Sequence, residues 1–320
     1  MSATVISIDF LCLIFIFSGY QIQSAEVPYD TVVCFGDSHS DTGNVYNLTK
    51  FKWPLVPPYY QGRFSNGPIW IEKLGISTLI NYAYGGATTD NTLVTGVTMT
   101  SNIVPGVRQQ ISTYKNLTDL TKINFNRTLY VIWAGSNDYF FNINLSPYIV
   151  VNSLANSIND LIQIGAKHFL IFNEPPFEVY PYVMMLNMSI YMKALTLAHN
   201  NNLSNIIQST YRNITCHFYD THSLITNILN NPLKYGINST KNCCWNTLSG
   251  IVNISCTTTD TYLFIDEYHF TTRIHQFIAD NVRQLFSTSN KTTKHFHSIS
   301  ILLWYICSSI VCLWKKYCCM

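Results

Sequence analysis

The sequence predicts an α/β fold, a single domain built around a central, mostly parallel five-stranded sheet. Three observations predict it. Short apolar runs rich in β-branched residues alternate with longer segments of helical periodicity, the pattern left by strand–helix–strand crossovers. The first three runs break off into glycine and small polar residues, as strands entering loops at one sheet edge do. No repeat or linker interrupts the chain between Glu26 and Phe286.

The strands are read in order. Thr31 to Phe35 is the first, ended by Gly36-Asp37, and Leu79 to Tyr82 is a short second before Gly85-Gly86. Leu129 to Trp133 runs into Ala134-Gly135, His168 to Phe172 is the fourth, and Thr215 to Tyr219 the fifth. A helix from Pro147 to Ile164 carries proline in its first turn and Gly165 as its stop. A long helix is expected over Val183 to Tyr211. In the last helix Ile274, Phe277, Ile278, Val282, Leu285 and Phe286 recur at helical spacing and form one apolar stripe.

Composition narrows the function. Of 320 residues, 48% are hydrophobic and 11% charged, against a usual charged share of roughly 25%. This excludes a disordered chain and a coiled coil. Lys+Arg number 19 and Asp+Glu 17, and the net charge of +2 excludes a nucleic-acid-binding face. Between Glu26 and Asn290 there are 15 basic and 16 acidic residues, a net of −1. Asn, Ser and Thr take over solvation, which points to an extracellular surface.

The ends carry processing and anchoring signals. Residues 1–25 read as a signal peptide: Phe10 to Phe17 is an apolar run too short to span a bilayer, and Ala25 suits the position before a cut. No Lys or Arg precedes the run and Gln23 is not small, features that also fit an uncut N-terminal anchor. Ten sequons, at Asn47, Asn116, Asn126, Asn144, Asn187, Asn202, Asn213, Asn238, Asn253 and Asn290, fit a glycoprotein of the secretory pathway. After a polar linker over 287–298, residues 299–314 are mostly apolar and rise about 24 Å as a helix, short of a core of about 30 Å. Lys315 and Lys316 in the tail 315–320 fit a cytoplasmic end. Residues 299–314 are therefore read as a C-terminal membrane tether, with Cys318 and Cys319 open to acylation. Cys34 reads as a packed thiol, and Cys243, Cys244 and Cys256 as a disulfide cluster that reaches Cys216 in one of its pairings.

Ligands of open parallel sheets bind at the carboxyl ends of the strands. There the sequence places Gly36-Asp37-Ser38-His39-Ser40-Asp41-Thr42-Gly43-Asn44, Asn81 to Ala87, Gly135-Ser136-Asn137-Asp138 and, before the last helix, Asp266-Glu267-Tyr268-His269. Small polar residues and an Asp/His pair gather at one rim, while zinc, nucleotide and G-x-S-x-G signatures are absent.

These blocks resemble the GDSL-type esterase/lipase family of the SGNH hydrolase superfamily. Phe35 to Asn44 is similar to its F-G-D-S-x-S-D-x-G-N, and Gly62 to Trp70 to its G-R-F-S-N-G-x-x-W. Asn81 to Ala87 is similar to N-[YF]-A-x-G-G-A, Gly135 to Asp138 to G-x-N-D, and Asp266 to His269 to D-x-x-H. Gly165-Ala166-Lys167 and Pro175-Pro176 also fall in family positions. The resemblance runs from Thr31 to Phe286. It implies a flavodoxin-like α/β/α domain over 26–286 and a carboxylic ester hydrolase.

A serine hydroxyl needs a base to take its proton, and the base needs a partner that fixes its tautomer. The resemblance makes Ser38 the nucleophile, His269 the base and Asp266 its partner. Standing alone, Asp266 would read as a helix cap and His269 as a loop residue. For the oxyanion the resemblance implies the backbone N–H groups of Ser38 and Gly86 and the side chain of Asn137, with Gly85 the alternative to Gly86. Asp37 reads as structural, His39 departs from the usual Leu or Tyr, and His275 reads as packed within the last helix. No metal or other cofactor is implied. The expected partner is an ester substrate, an acylated carbohydrate or lipid. Trp53, Tyr59, Tyr60, Trp70, Tyr139, Phe140 and Phe141 lie in or beside the rim segments. Two other readings share the residues: an acyltransferase acting on glycans, and a catalytically silent surface binding protein.

Overall fold

Strand β1 (Thr31–Gly36) is apolar on both sides and almost wholly buried, which only a central strand covered on two faces requires. In this computed structural model, which describes residues 27–211, 214–248 and 252–287, it is followed by α1 (Asn44–Leu48), β2 (Thr78–Asn81), α2 (Val107–Leu117), β3 (Thr128–Trp133) and α3 (Ser136–Phe141). Then come α4 (Pro147–Ile162), β4 (His168–Phe172), α5 (Pro181–Met185), α6 (Ser189–Thr210), β5 (Thr215–Tyr219) and α7 (Thr221–Asn230). Short strands β6 (Ser239–Cys243), β7 (Trp245–Asn246), β8 (Asn253–Ile254) and β9 (Tyr262–Phe264) precede α8, a helix over 272–287. Pro28–Leu285 form one compact unit; the second unit, 1–27 with 286–320, lies almost entirely outside the described residues.

The main sheet has the order β2-β1-β3-β4-β5 with every pair parallel. Strand order reverses between β1 and β3, so a crevice opens beyond their carboxyl ends, the switch point where such sheets bind ligands. Gly36 pairs with Trp133, and the two loops that follow leave the sheet side by side. Alternation gives the sheet two apolar faces. Val33, Phe35, Tyr130, Ile132, Phe169 and Ile171 pack with residues of α2, α4 and α6 in one core. On the opposite parity Trp133 and Phe172 stack with centroids 4.6 Å apart and planes 9° apart, with Trp70 against both. Full burial of each such side chain contributes about 1.5–3 kcal/mol.

The five expected strands all form, β2 beginning one residue early and ending one early. The expected long helix does not run from Val183 to Tyr211: it is two, α5 and α6. The break follows from Asn187, whose φ of 55° is left-handed. Its N–H bonds to the Met184 carbonyl and that of Met188 to the Val183 carbonyl, the paired closure that ends helices at a left-handed residue. Helices α2 and α7, which the sequence pattern does not single out, bury Ile111, Tyr114, Leu224, Ile225 and Ile228. The cysteine cluster reduces to one bridge, Cys244–Cys256. Cys243 and Cys216 are free thiols, as is the buried Cys34. Adjacent residues point to opposite sides of an extended chain, so Cys243 cannot share the partner of Cys244. Among the described residues no helix is long and apolar enough to cross a membrane. The expected signal peptide and tether lie outside those residues.

Candidate active site

At the end of β1 the chain turns sharply through Asp37–Ser40, with the Ser40 N–H closing onto the Asp37 carbonyl at 3.1 Å. Asp37 is fully buried and holds the turn: one carboxylate oxygen accepts the His39 N–H at 3.0 Å, the other the Ser136 hydroxyl at 3.2 Å. This is the structural role expected of it. Asp41 ties the first block to the second, accepting the backbone N–H groups of Gly43, Asn44, Val45 and Gly85. Burial nevertheless pushes its carboxyl up to about 6. The Gly62–Trp70 block fastens the other side. Ser65 donates to the Phe270 carbonyl and Asn66 accepts the Thr272 N–H, which anchors the loop carrying His269.

That loop folds back on Asp266. One oxygen of the Asp266 carboxylate accepts the N–H groups of Tyr268 and His269, both at 2.8 Å, and the tight turn returns the imidazole to the carboxylate. His269 Nδ1 lies 2.7 Å from Asp266 Oδ2, and His269 Nε2 lies 2.8 Å from Ser38 Oγ. An acceptor-only carboxylate at Nδ1 requires the tautomer with its proton there, leaving Nε2 as acceptor for the serine hydroxyl. Residues 231 positions apart in the chain thus complete one hydrogen-bonded row. Burial alone would push the Asp266 carboxyl up, but His269, Tyr59 and Tyr268 outweigh it and hold it below the ordinary aspartate value.

The oxyanion candidates are also brought to this place. Gly85 spends its N–H on Asp41 at 2.8 Å. Among the described residues, the N–H groups of Gly86 and Ser38 donate to no protein acceptor, so geometry favours Gly86 over Gly85. Gly86 has a φ of 82°, and a Cβ there would meet the Val97 carbonyl at 2.3 Å, so only glycine fits. Asn137 opens α3 beside the end of β3 and donates to the Ala87 carbonyl at 2.9 Å, which orients its carboxamide with a second N–H still available. Ser38, His269, Gly86 and Asn137 line one cavity of about 400 Å³ whose walls include Trp53, Phe64, Met99, Phe140, Tyr182 and Tyr268.

Of the aromatic residues singled out in the sequence, Trp53, Tyr59, Phe140 and Phe141 line this cavity. Trp70 and Tyr139 are core residues, fully buried. His275 is buried, its ring edge-on to Phe270 at 6.5 Å. Among the described residues no group of three His, Cys, Asp or Glu side chains is placed to hold a metal. Sequence reasoning missed what lies behind the row. The Tyr59 hydroxyl donates to Asp266 Oδ2 at 2.5 Å, its ring wedged edge-on against Trp53 and Trp245. Glu267 accepts both the N–H and the hydroxyl of Thr247, bracing the same loop. A tyrosine 207 positions from its carboxylate leaves no local signal.

A hydroxyl, an imidazole and a carboxylate in line at the carboxyl edge of a parallel sheet, with free N–H donors beside the hydroxyl, is the equipment of an acyl-transfer hydrolase. Residues 32–282 match the family described as GDSL-like Lipase/Acylhydrolase. A phosphatidylcholine-sterol acyltransferase of Aeromonas hydrophila is 27% identical over 246 residues, 74% of this chain and 72% of the relative. An acetylesterase of Thermothelomyces thermophilus is 28% identical over 252 residues, 70% of this chain and 83% of the relative. A solved member of the lipolytic G-D-S-L family from Veillonella parvula aligns at 14% identity with a TM-score of 0.48, covering 80% of this chain and 98% of that one. The chain belongs to the GDSL-like lipase/acylhydrolase family and is a carboxylic ester hydrolase.

Proposed function

We propose that the chain is a secreted or membrane-tethered serine esterase that cleaves acyl or acetyl esters of lipids or carbohydrates through an acyl-enzyme on Ser38. The observation that carries this is the unbroken row Ser38–His269–Asp266 opening onto the cavity. His269 Nε2 takes the hydroxyl proton as Ser38 Oγ attacks the ester carbonyl carbon. The negative oxygen so formed is met by the N–H groups of Ser38, Gly86 and Asn137. Collapse expels the alcohol, which leaves with the proton from His269, and the acyl group stays on Ser38. Water then repeats the sequence, releasing the acid and restoring the serine. Asp266 stays ionised throughout and holds the imidazole while it carries charge.

The wall of aromatic and apolar side chains supports an acyl group or a sugar face as occupant. Export is supported by the sequons: among the described residues Asn47, Asn116, Asn126, Asn144, Asn187, Asn238 and Asn253 are exposed and Asn202 half-buried. Residues 1–25 as signal peptide, 287–298 as linker and 299–314 as tether complete this reading.

A panel of acetyl-xylan, nitrophenyl esters of graded chain length and phospholipid vesicles tests it. Turnover of at least one class is expected, with Asn137→Ala slowing kcat by about 10²–10³. A protein inert on the whole panel, or one indifferent to loss of Asn137, would overturn the reading. One observation favours a second acceptor. The Aeromonas relative is named for transfer to a sterol, and an alcohol in place of water needs no new residue. Product analysis with and without an alcohol acceptor separates transfer from hydrolysis.

A further inference from the structure

Directly behind the oxyanion side of the cavity lies a buried acid that the proposed chemistry does not use. Glu174 follows β4 and is 1% exposed. Asn200 grips its backbone from both sides, accepting the Glu174 N–H at 2.9 Å and donating to the Glu174 carbonyl at 2.8 Å. The backbone amide of Ser136, the residue before Asn137, faces the Glu174 carboxyl and favours its charged form against the effect of burial. The loop is shaped to fit against it. Gly135 has a φ of 146°, and a Cβ there would lie 2.9 Å from Glu174 Oε1 and 2.9 Å from His199 Cε1. Any other residue at 135 would push the turn off its support.

We infer that Glu174 is a positioning residue for the Asn137 oxyanion donor, backing the Gly135–Ser136 turn and with it the start of α3. The inference rests on the reading of Asn137 given above. Glu174 acts as an uncharged acid. Three carboxyls interact here, those of Asp37, Asp138 and Glu174, and none forms an ion pair with Lys or Arg among the described residues. Asp138 accepts the N–H and hydroxyl of Thr89, and Asp37 accepts from His39 and Ser136. Glu174 has the poorest set, and its Oε1 finds no hydrogen-bond partner among the described residues. A buried carboxyl with few donors keeps its proton. Burial first, then Asp37 and Asp138, push it well above the ordinary value. The other groups facing it are neutral too: Tyr139, Tyr180 and His199, which burial pushes down to about 3.

The test is kcat and KM on one nitrophenyl ester for Glu174→Gln, Glu174→Ala, Asn137→Ala and the double variant Glu174→Ala/Asn137→Ala. Glutamine keeps a neutral acceptor in the same shape, so its kcat stays within about threefold of the parent. Alanine lowers kcat by about 10- to 100-fold with KM little changed, a fraction of the loss of a whole donor. In the double variant the loss equals that of Asn137→Ala alone, because Glu174 acts through that residue. Losses that multiply, or a Gln variant as slow as the Ala variant, would overturn the assignment and leave the esterase intact. If Asn137→Ala itself costs nothing, both this assignment and the oxyanion reading fall. Should Glu174→Ala not fold, Glu174→Leu fills the same space without an acceptor and serves in its place.

Discussion

Ser38→Ala lowers kcat by about 10⁴-fold or more, to the residual rate that binding and oxyanion donors sustain without a nucleophile. The size follows from chemistry. Among the described residues no other hydroxyl hydrogen-bonds to His269 Nε2, which lies 2.8 Å from Ser38 Oγ. The change also removes very little packing, since Ser38 sits in a turn held by Asp37 and by backbone bonds. KM and the melting temperature should therefore stay near those of the parent. Steady-state kinetics on a nitrophenyl ester, with a melting curve alongside, checks it. Activity surviving at the parental rate would show that another group attacks the ester.

The second large effect is at Asp266. Asp266→Asn is expected to lower kcat by about 10⁴-fold while the chain stays folded. Asparagine keeps the shape but offers an N–H where the carboxylate only accepts. His269 Nδ1 would then accept from the new amide, its proton would move to Nε2, and the base would face Ser38 with a donor. The burden on this carboxylate is heavy. It accepts from Tyr59, from the N–H groups of Tyr268 and His269 and from the imidazole. Kinetics of Asp266→Asn beside Asp266→Glu check the claim: an acid that still reaches His269 recovers part of the lost rate. A variant with kcat within about tenfold of the parent would contradict a tautomer-fixing role.

The elements legible in the sequence were those written locally. Each strand of the sheet announces itself in a few consecutive β-branched or aromatic residues, and the rim blocks lie where those strands end. Ser38, His269 and Asp266 are legible as candidates because their blocks are short and ordered. The choice between Gly85 and Gly86 was not legible, because it turns on which N–H Asp41 consumes, a contact spanning 44 positions. The helix break at Asn187 was hidden because a left-handed asparagine leaves the apolar spacing on either side intact. The bracing roles of Tyr59, Glu174 and Glu267 escaped for a common reason. Each is a single residue whose meaning comes from a distant partner, and acids in a chain this poor in charge look like ordinary solvated positions until burial is known. The cysteines behave likewise: Cys243 and Cys244 are neighbours in sequence, yet only Cys244 meets Cys256.

The central claim is that one hydroxyl, activated by one imidazole, carries the acyl group. Treating the full chain with a fluorophosphonate, which bonds only to an activated nucleophile, and mapping the adduct by peptide mass spectrometry tests it most directly. The account predicts a single adduct on Ser38, formed as activity disappears, and no adduct in His269→Ala. An adduct on a different residue, or loss of activity with Ser38 unmodified, would contradict it.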